Sequence, residues 1–191
     1  MKKHTRFTLY RIIVIGLMAA IIFVCTEFLG IRVPTPTGTT QLKTANAVCL
    51  LSGMLFGGWI GGLSAGIGSM IFDLTFPEYA PTAWVTLIFF FAMGAICGAI
   101  SHSGGSRGKN KGKNWLAAVC GALGYWLLYI GKSVGVLMAS GSVFKAALIA
   151  TVPKMITSGI NVVFGVVVSN LLCALLYPAL ERAGVFRKLH D

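Results

Sequence analysis

Charged side chains are scarce in this sequence. Asp, Glu, Lys and Arg make up 11% of its 191 residues, against about 25% in an average soluble domain. Apolar residues reach 56%, and the mean hydropathy is +0.82. So few charged residues cannot cover a surface that faces water. The composition therefore excludes an ordinary soluble domain and indicates an integral membrane protein.

Groups that could perform catalysis or bind a metal are equally few. The chain has five acidic residues and three histidines, and its five cysteines occur singly, without CxxC spacing. The histidines, His4, His102 and His190, lie at chain ends or in a predicted loop, so they form neither an HExxH motif nor a Ser/His/Asp set. No glycine-rich phosphate-binding motif is present. We therefore predict no catalytic residue, no metal site, no cofactor and no enzymatic activity.

Long apolar segments fill most of the chain. Hydrocarbon cannot satisfy bare backbone groups, so each crossing must be a helix of about 20 apolar residues, and no strand is predicted. Six crossings fit an all-α membrane protein with one domain covering residues 1–191, the two shortest being separated by Gly57 and Gly58. The predicted spans are residues 9–30, 45–56, 59–74, 83–101, 115–139 and 146–177.

Basic residues are concentrated in three places, which predicts the orientation. Six crossings put the amino terminus, the fourth connection and the carboxyl terminus on one side, and all three segments are rich in Lys and Arg. The positive-inside rule makes that side cytoplasmic in a multi-pass protein of a bacterial-type cell membrane. Because spans flank these charges, we assign the net charge of +11 to contact with the lipid bilayer and predict no nucleic-acid partner.

Two lysines stand out because ionisable side chains within spans are costly and are usually retained for a function. Lys132 and Lys154 both fall in the outer halves of their spans. Residues three or four positions apart lie on the same face of a helix, so each lysine shares a face with other polar or aromatic residues. The residues of these faces are Tyr125, Tyr129 and Lys132 in the fifth span and Lys154, Ser158 and Asn161 in the sixth. If the faces meet, they form a pocket for a small polar ligand that carries a ring or a carboxylate.

Other interpretations of these side chains stay open. Either lysine can extend outward to lipid head groups, and Asn161 can link helices by hydrogen bonding. Trp84 fits an aromatic belt in the outer leaflet at least as well as it fits stacking on a ligand. Asp73 and Glu78 lie near one another among prolines, and we interpret them as part of a structured outer loop rather than as an acid and base pair.

Two further features suggest contacts beyond the helical bundle. The connection of residues 31–44 is polar and contains two prolines, which is typical of a lid over a binding site but also of a passive linker. Gly16, Ala19 and Ala20 place small side chains on the first span, where they can contact another membrane subunit or pack internally.

Several short motifs follow one another in a specific order and spacing. They are Gly-Leu-Met-Ala-Ala at Gly16 to Ala20, Asn46, Leu-Ser-Gly-Met-Leu-Phe-Gly-Gly from Leu51, Gly-Leu-Ser-Ala-Gly-Ile-Gly-Ser from Gly62, Asp73, Tyr-Ala-Pro-Thr from Tyr79, Thr-Leu-Ile from Thr86, Met93-Gly94 and Gly98. Together they make most of the chain resemble the substrate-binding S components of energy-coupling factor (ECF) vitamin transporters. The predicted helical topology matches that family independently.

The resemblance implies a binding subunit that captures a water-soluble vitamin or its precursor and depends on partners for energy. Those partners would be a membrane-embedded coupling subunit, docked on Gly16, Ala19 and Ala20, and two ATPase subunits. The first external loop resembles a gate over the pocket, and its predicted gate residues are Val33, Pro34, Thr35, Pro36, Thr37 and Gly38.

Departures from the family pattern limit what can be expected of the ligand. Relatives often have Gly-Asp where this chain has Ala45-Asn46, and Lys-Gly where it has Phe90-Phe91. We place Asn46 beside the pocket and expect the two lysines to favour an anionic vitamin, such as pantothenate or a folate, with a neutral ring vitamin still open. The alternative function is a structural or assembly membrane protein with no small ligand, and a membrane-embedded enzyme, which no motif supports, comes third.

Overall fold

A computed structural model describes residues 9–35 and 38–190, with the backbone alone for residues 31–35, 38–43, 187, 188 and 190. Helices dominate this part of the chain. They are α1 (Leu9–Phe28), α2 (Ala45–Phe56), α3 (Gly58–Leu74), α4 (Ala83–Ser101), α5 (Lys111–Ala139), α6 (Phe144–Arg182) and a short α7 (Val185–His190), with one-turn 3₁₀ helices at Ala80–Thr82 and Ser103–Gly105.

Four of the described helical segments are long and apolar enough to cross a membrane by themselves. They are Leu9–Phe28, Ala80–Ser101, Lys111–Ala139 and Phe144–Arg182. The chain is thus a multi-pass membrane protein with a helical bundle. Helix α1 ends before Leu29, earlier than the predicted limit at residue 30. Helix α5 begins before the predicted residue 115, since Asn110 caps its first turn by accepting a hydrogen bond from the backbone N–H of Lys113 at 3.2 Å.

The expectation that no strand would form is wrong for the first connection. Residues Gly30–Thr35 (β1) and Gly38–Lys43 (β2) form an antiparallel hairpin in which Val33 pairs with Thr40. The β-branched residues of this segment favour extended backbone. Each strand of a two-stranded sheet has one unpaired edge, and Pro34 is tolerated in β1 for that reason. Strand β2 contacts α6 and strand β1 contacts α1.

Helix α2 forms the centre of the bundle. Every residue from Ala45 to Leu55 is buried, and the helix contacts α3, α4 and α6. At 1.5 Å per residue its 12 residues extend only about 18 Å, less than the thickness of the hydrocarbon layer. Its neighbours therefore enclose it almost completely, which explains how so short a helix is accommodated.

Glycine permits the close contacts around α2. A Cβ atom at Gly53 would lie 2.6 Å from the carbonyl oxygen of Gly94 on α4, closer than side chains pack. Gly57, which separates α2 from α3, has a φ of +86°, a conformation that is readily adopted only by glycine. The glycine-rich stretch thus allows α2 to reverse into α3 while both helices lie against α4.

Candidate ligand-binding site

A cavity of about 420 Å³ opens among helices α3, α4, α5 and α6, with α2 at one wall. Its volume lies within the range of about 300–1,000 Å³ typical of small-molecule sites. Helices α5 and α6 contribute the residues that sequence spacing placed on facing stripes. These lining residues are Tyr125, Tyr129 and Lys132 from α5 and Lys154, Ser158 and Asn161 from α6.

Aromatic rings form one side of the cavity. Tyr125 and Tyr129 lie one helical turn apart on α5 with their ring centroids 6.0 Å apart and their planes nearly parallel, at 14°. Phe90 of α4 packs against Tyr125 at a centroid distance of 4.6 Å. The plane of Phe90 is tilted by 47° from that of Tyr125. The three rings give this side of the cavity an aromatic surface against which a flat conjugated ligand can pack.

Two acidic side chains that the sequence analysis assigned to a loop also line this cavity. Asp73 belongs to helix α3, is 5% exposed, and accepts a hydrogen bond of 2.5 Å from the hydroxyl of Thr86 on α4. Glu78 lies in the connection after α3. The loop interpretation of Asp73 is wrong because α3 continues to Leu74. The cost of burying a charge, which singled out the two lysines, applied equally to Asp73.

Asn46 lies at the inner wall, near the start of α2. It is 4% exposed, and its side-chain oxygen accepts no hydrogen bond among the described residues. Buried polar atoms are nearly always hydrogen-bonded, because leaving one without a partner costs about 1–3 kcal/mol. An acceptor that is buried, unpaired and beside a cavity is suited to a donor from a bound ligand.

Trp84 is the predicted binding residue that the structure does not bring to the cavity. Its side chain is 65% exposed, and it is not among the lining residues. The preceding residue, Ala83, is buried, so the start of α4 turns Trp84 outward. Contact between Trp84 and a ligand therefore has no support in the structure, whereas the position agrees with the membrane-belt alternative.

The predicted gate coincides with the hairpin. Val33, Pro34 and Thr35 belong to β1 and Gly38 to β2, while Pro36 and Thr37 lie outside the described residues. The contact between β2 and α6 connects this hairpin to one of the helices that form the cavity. Its action as a gate stays a prediction.

The small residues of α1 divide between two faces. Gly16 and Ala20 are exposed, and a Cβ at Gly16 would have no heavy atom within 4 Å. Ala19 is 4% exposed and packs against Gly68 of α3. A Cβ atom added at Gly68 would lie 2.5 Å from the carbonyl oxygen of Ala19. The prediction that Ala19 docks a partner is therefore corrected, because α3 already covers it.

Comparison with known proteins identifies the family. Residues 6–178 match the model of the family described as "ECF-type riboflavin transporter, S component". The chain belongs to this family. No curated protein matches the chain. The resemblance seen in the motifs is thereby confirmed over nearly the whole sequence.

Membership gives the helical bundle a role. An S component is a substrate-binding subunit of a membrane transporter and works with an energy-coupling module, and the family is one of transport proteins rather than of enzymes. The cavity is the described feature of this S component that combines stacked rings, charged groups and an unpaired buried acceptor.

Proposed function

We propose that this S component captures riboflavin, or a vitamin of closely similar ring chemistry, in the cavity between α3, α4, α5 and α6 for uptake driven by ATPase subunits. The observation that carries the proposal is the combination of stacked aromatic rings with the unpaired, buried oxygen of Asn46. A flat heterocycle with an N–H at its edge has a face for the rings and a donor for Asn46, both of which line the same cavity. The family description supports the same vitamin.

The charges in the cavity revise the expectation of an anionic vitamin. Lys132 and Lys154 are matched by Asp73 and Glu78, so the lining carries two positive and two negative formal charges. A carboxylate ligand would meet two acids as well as two lysines. A neutral vitamin rich in carbonyl and hydroxyl groups can instead accept hydrogen bonds from the ammonium groups and donate to the carboxylates, which favours riboflavin over pantothenate or a folate.

The proposed orientation follows from the positions of the two ends of the bundle. Thr86 near the start of α4 and Asp73 near the end of α3 line the cavity, whereas the basic loop after α4, Arg11 of α1 and Leu189 of α7 lie at the opposite end. With six crossings and the basic end cytoplasmic, as the positive-inside rule favours, the cavity faces outward in the cell membrane. The β1–β2 hairpin would then cover it from outside.

The proposed partners are a membrane-embedded coupling subunit and two ATPase subunits. Gly16 and Ala20 lie four residues apart on the exposed side of α1, where their small size permits close approach of another membrane helix. We infer that this pair, without Ala19, is the docking surface for the coupling subunit.

A binding panel tests the proposed ligand. The purified chain is expected to be stabilised against thermal unfolding by riboflavin, since a ligand that binds only the folded state raises its stability. The rise should exceed that given by pantothenate or folate. Stabilisation by an anionic vitamin alone would contradict the assignment of riboflavin, and no shift with any water-soluble vitamin would favour the alternative of an assembly protein.

A further inference from the structure

A second concave surface lies at the end of the bundle opposite the ligand cavity. Ile60 near the start of α3 and His102 after α4 line it, together with the ends of α1, α2 and α6. The proposed transport cycle uses none of these residues. The concavity has a volume of about 850 Å³, and we refer to it as the basic groove.

The groove has a strong excess of positive charge. Its cationic residues are Arg11, Arg107, Lys109 and Arg182. Among the described lining residues the one acid is Glu181, whose carboxylate lies 2.7 Å from the ammonium of Lys109 and raises the pKa of that lysine by accepting its hydrogen bond. Three guanidinium groups therefore remain in excess, and guanidinium groups bind phosphate oxygens in bidentate fashion.

The backbone holds two sides of the groove in place. The guanidinium of Arg11 donates two hydrogen bonds to the carbonyl oxygen of Leu189, at 3.1 and 2.9 Å, which joins α1 to α7. On the other side Gly108 lies against the end of α2, and its carbonyl oxygen accepts a hydrogen bond of 2.8 Å from Asn114. Arg107, the residue before Gly108, has a φ of +45°, a left-handed conformation that non-glycine residues rarely adopt.

Apolar side chains form the remaining walls. Phe186 of α7 stacks on Tyr177 at a centroid distance of 4.9 Å and lies 6.4 Å from the ring of Phe56. Beside Arg11, the outer face of α1 carries exposed apolar residues, including Leu9 and Ile12. These residues offer apolar contacts next to Arg11 for the chain of a ligand whose phosphate lies among the arginines.

We propose that the basic groove binds the head group of an anionic phospholipid, with its phosphate among Arg11, Arg107 and Arg182 and its acyl chains beside Leu9 and Ile12 at the start of α1, short of the Gly16 and Ala20 face. A free phosphate ester shares the head-group chemistry but gains nothing from the apolar walls or from the exposed face of α1. A basic pocket between transmembrane helices is a recognised type of site for anionic lipids. This assignment is independent of which vitamin occupies the other cavity.

The test measures lipid binding to the full chain in neutral detergent by native mass spectrometry. Phosphatidylglycerol is compared with phosphatidylcholine of the same acyl chains, and glycerol 3-phosphate represents the head group without its tail. Phosphatidylglycerol should bind tightest. Removal of one cation by Arg182→Gln or Arg107→Gly should weaken it about five-fold, since a cation near anionic lipid contributes about 1 kcal/mol.

Two further variants separate a site from a general charge effect. Lys111→Gln removes the same charge at the same end of the bundle, but Lys111 is exposed and does not line the groove, so its binding should equal that of the wild type. Glu181→Gln removes the acid and should strengthen binding, a gain that misfolding cannot produce. The proposal is overturned if phosphatidylcholine binds equally well, if Lys111→Gln loses as much as Arg182→Gln, or if glycerol 3-phosphate displaces the lipid at equal concentration.

Discussion

At the scale of single residues, the buried side chain of Asn46 offers a hydrogen-bond acceptor to a ligand. Its side-chain oxygen is enclosed by the protein yet lacks a hydrogen-bond donor among the described residues, so the empty site bears an energetic cost that a ligand can remove. The substitution Asn46→Ala should therefore weaken riboflavin binding about two- to ten-fold, the value of one neutral hydrogen bond. Isothermal titration measures the affinity.

The stability of the empty protein distinguishes recognition from a structural role. Because Asn46→Ala removes an unpaired buried oxygen, the ligand-free variant should melt no lower than the wild type. Asn170→Ala is a matched control, since Asn170 is buried on α6 outside the cavity and its amide donates to the carbonyl oxygen of Val166 at 2.8 Å. If Asn46→Ala melts far lower while its affinity is unchanged, Asn46 supports the bundle rather than the ligand.

Single residues also show how far a sequence predicts a site. Lys132 and Lys154 were identified because charge within an apolar span is costly, and the structure places both at the cavity. Asp73 carries the same signal, but prolines nearby suggested a loop and concealed it. Phe90 carries no such signal, since an apolar residue in an apolar helix does not reveal which neighbour it faces, and only the family pattern pointed to its position near the ligand. Its contact with Tyr125 depends on how α4 packs against α5.

At the scale of elements, the long helices could be predicted from apolar runs, whereas the hairpin could not. The segment of β1 and β2 has no clear alternation of apolar and polar residues and contains two prolines, so it was interpreted as a loop. Pairing between the strands is a non-local interaction that composition does not encode. The sequence gives a clearer indication of the close packing between α2 and its neighbours, because repeated glycines indicate close helix approach.

That packing makes a prediction for stability. Gly53→Ala would put a methyl group 2.6 Å from the Gly94 carbonyl oxygen, so α2 and α4 must separate. We expect the free energy of unfolding to fall by about 1–3 kcal/mol, as for other overpacked interiors. Thermal unfolding in detergent measures the change. Gly16→Ala is the matched control, since its Cβ has open space and alanine suits a helix; an equal loss in both variants would contradict this account.

At the scale of the whole molecule, the concave surfaces at the two ends of the bundle differ in charge. The ligand cavity balances two lysines with two carboxylates, whereas the basic groove at the other end keeps an excess of cations. This asymmetry parallels the distribution of Lys and Arg in the sequence, on which the predicted orientation rests. The sequence could not predict that the fourth connection would turn back onto α2 and bring Arg107 near Arg182, since that depends on tertiary packing.

The separation of the cavity from α1 predicts that binding and transport can be uncoupled. None of the residues that line the ligand cavity belongs to α1, so a bulky side chain at Gly16 should leave vitamin affinity unchanged while blocking close approach of a coupling helix. Gly16→Leu should therefore lower riboflavin uptake about ten-fold or more, because each 1.4 kcal/mol of lost association is a factor of ten. Uptake is measured in cells that express the variant with its coupling module.

Gly131→Leu on α5 controls for bulk at the lipid-facing surface. Gly131 is also exposed, with no heavy atom within 4 Å of a Cβ, but lies on a helix that we do not assign to docking. It should keep both binding and uptake. If Gly16→Leu transports normally, or if Gly131→Leu fails to the same degree, the docking surface does not lie on the Gly16 and Ala20 face. Co-purification of the coupling subunit with wild type and Gly131→Leu, but not with Gly16→Leu, would tie the loss of uptake to that face, once thermal unfolding and riboflavin titration give equal stability and affinity for all three proteins.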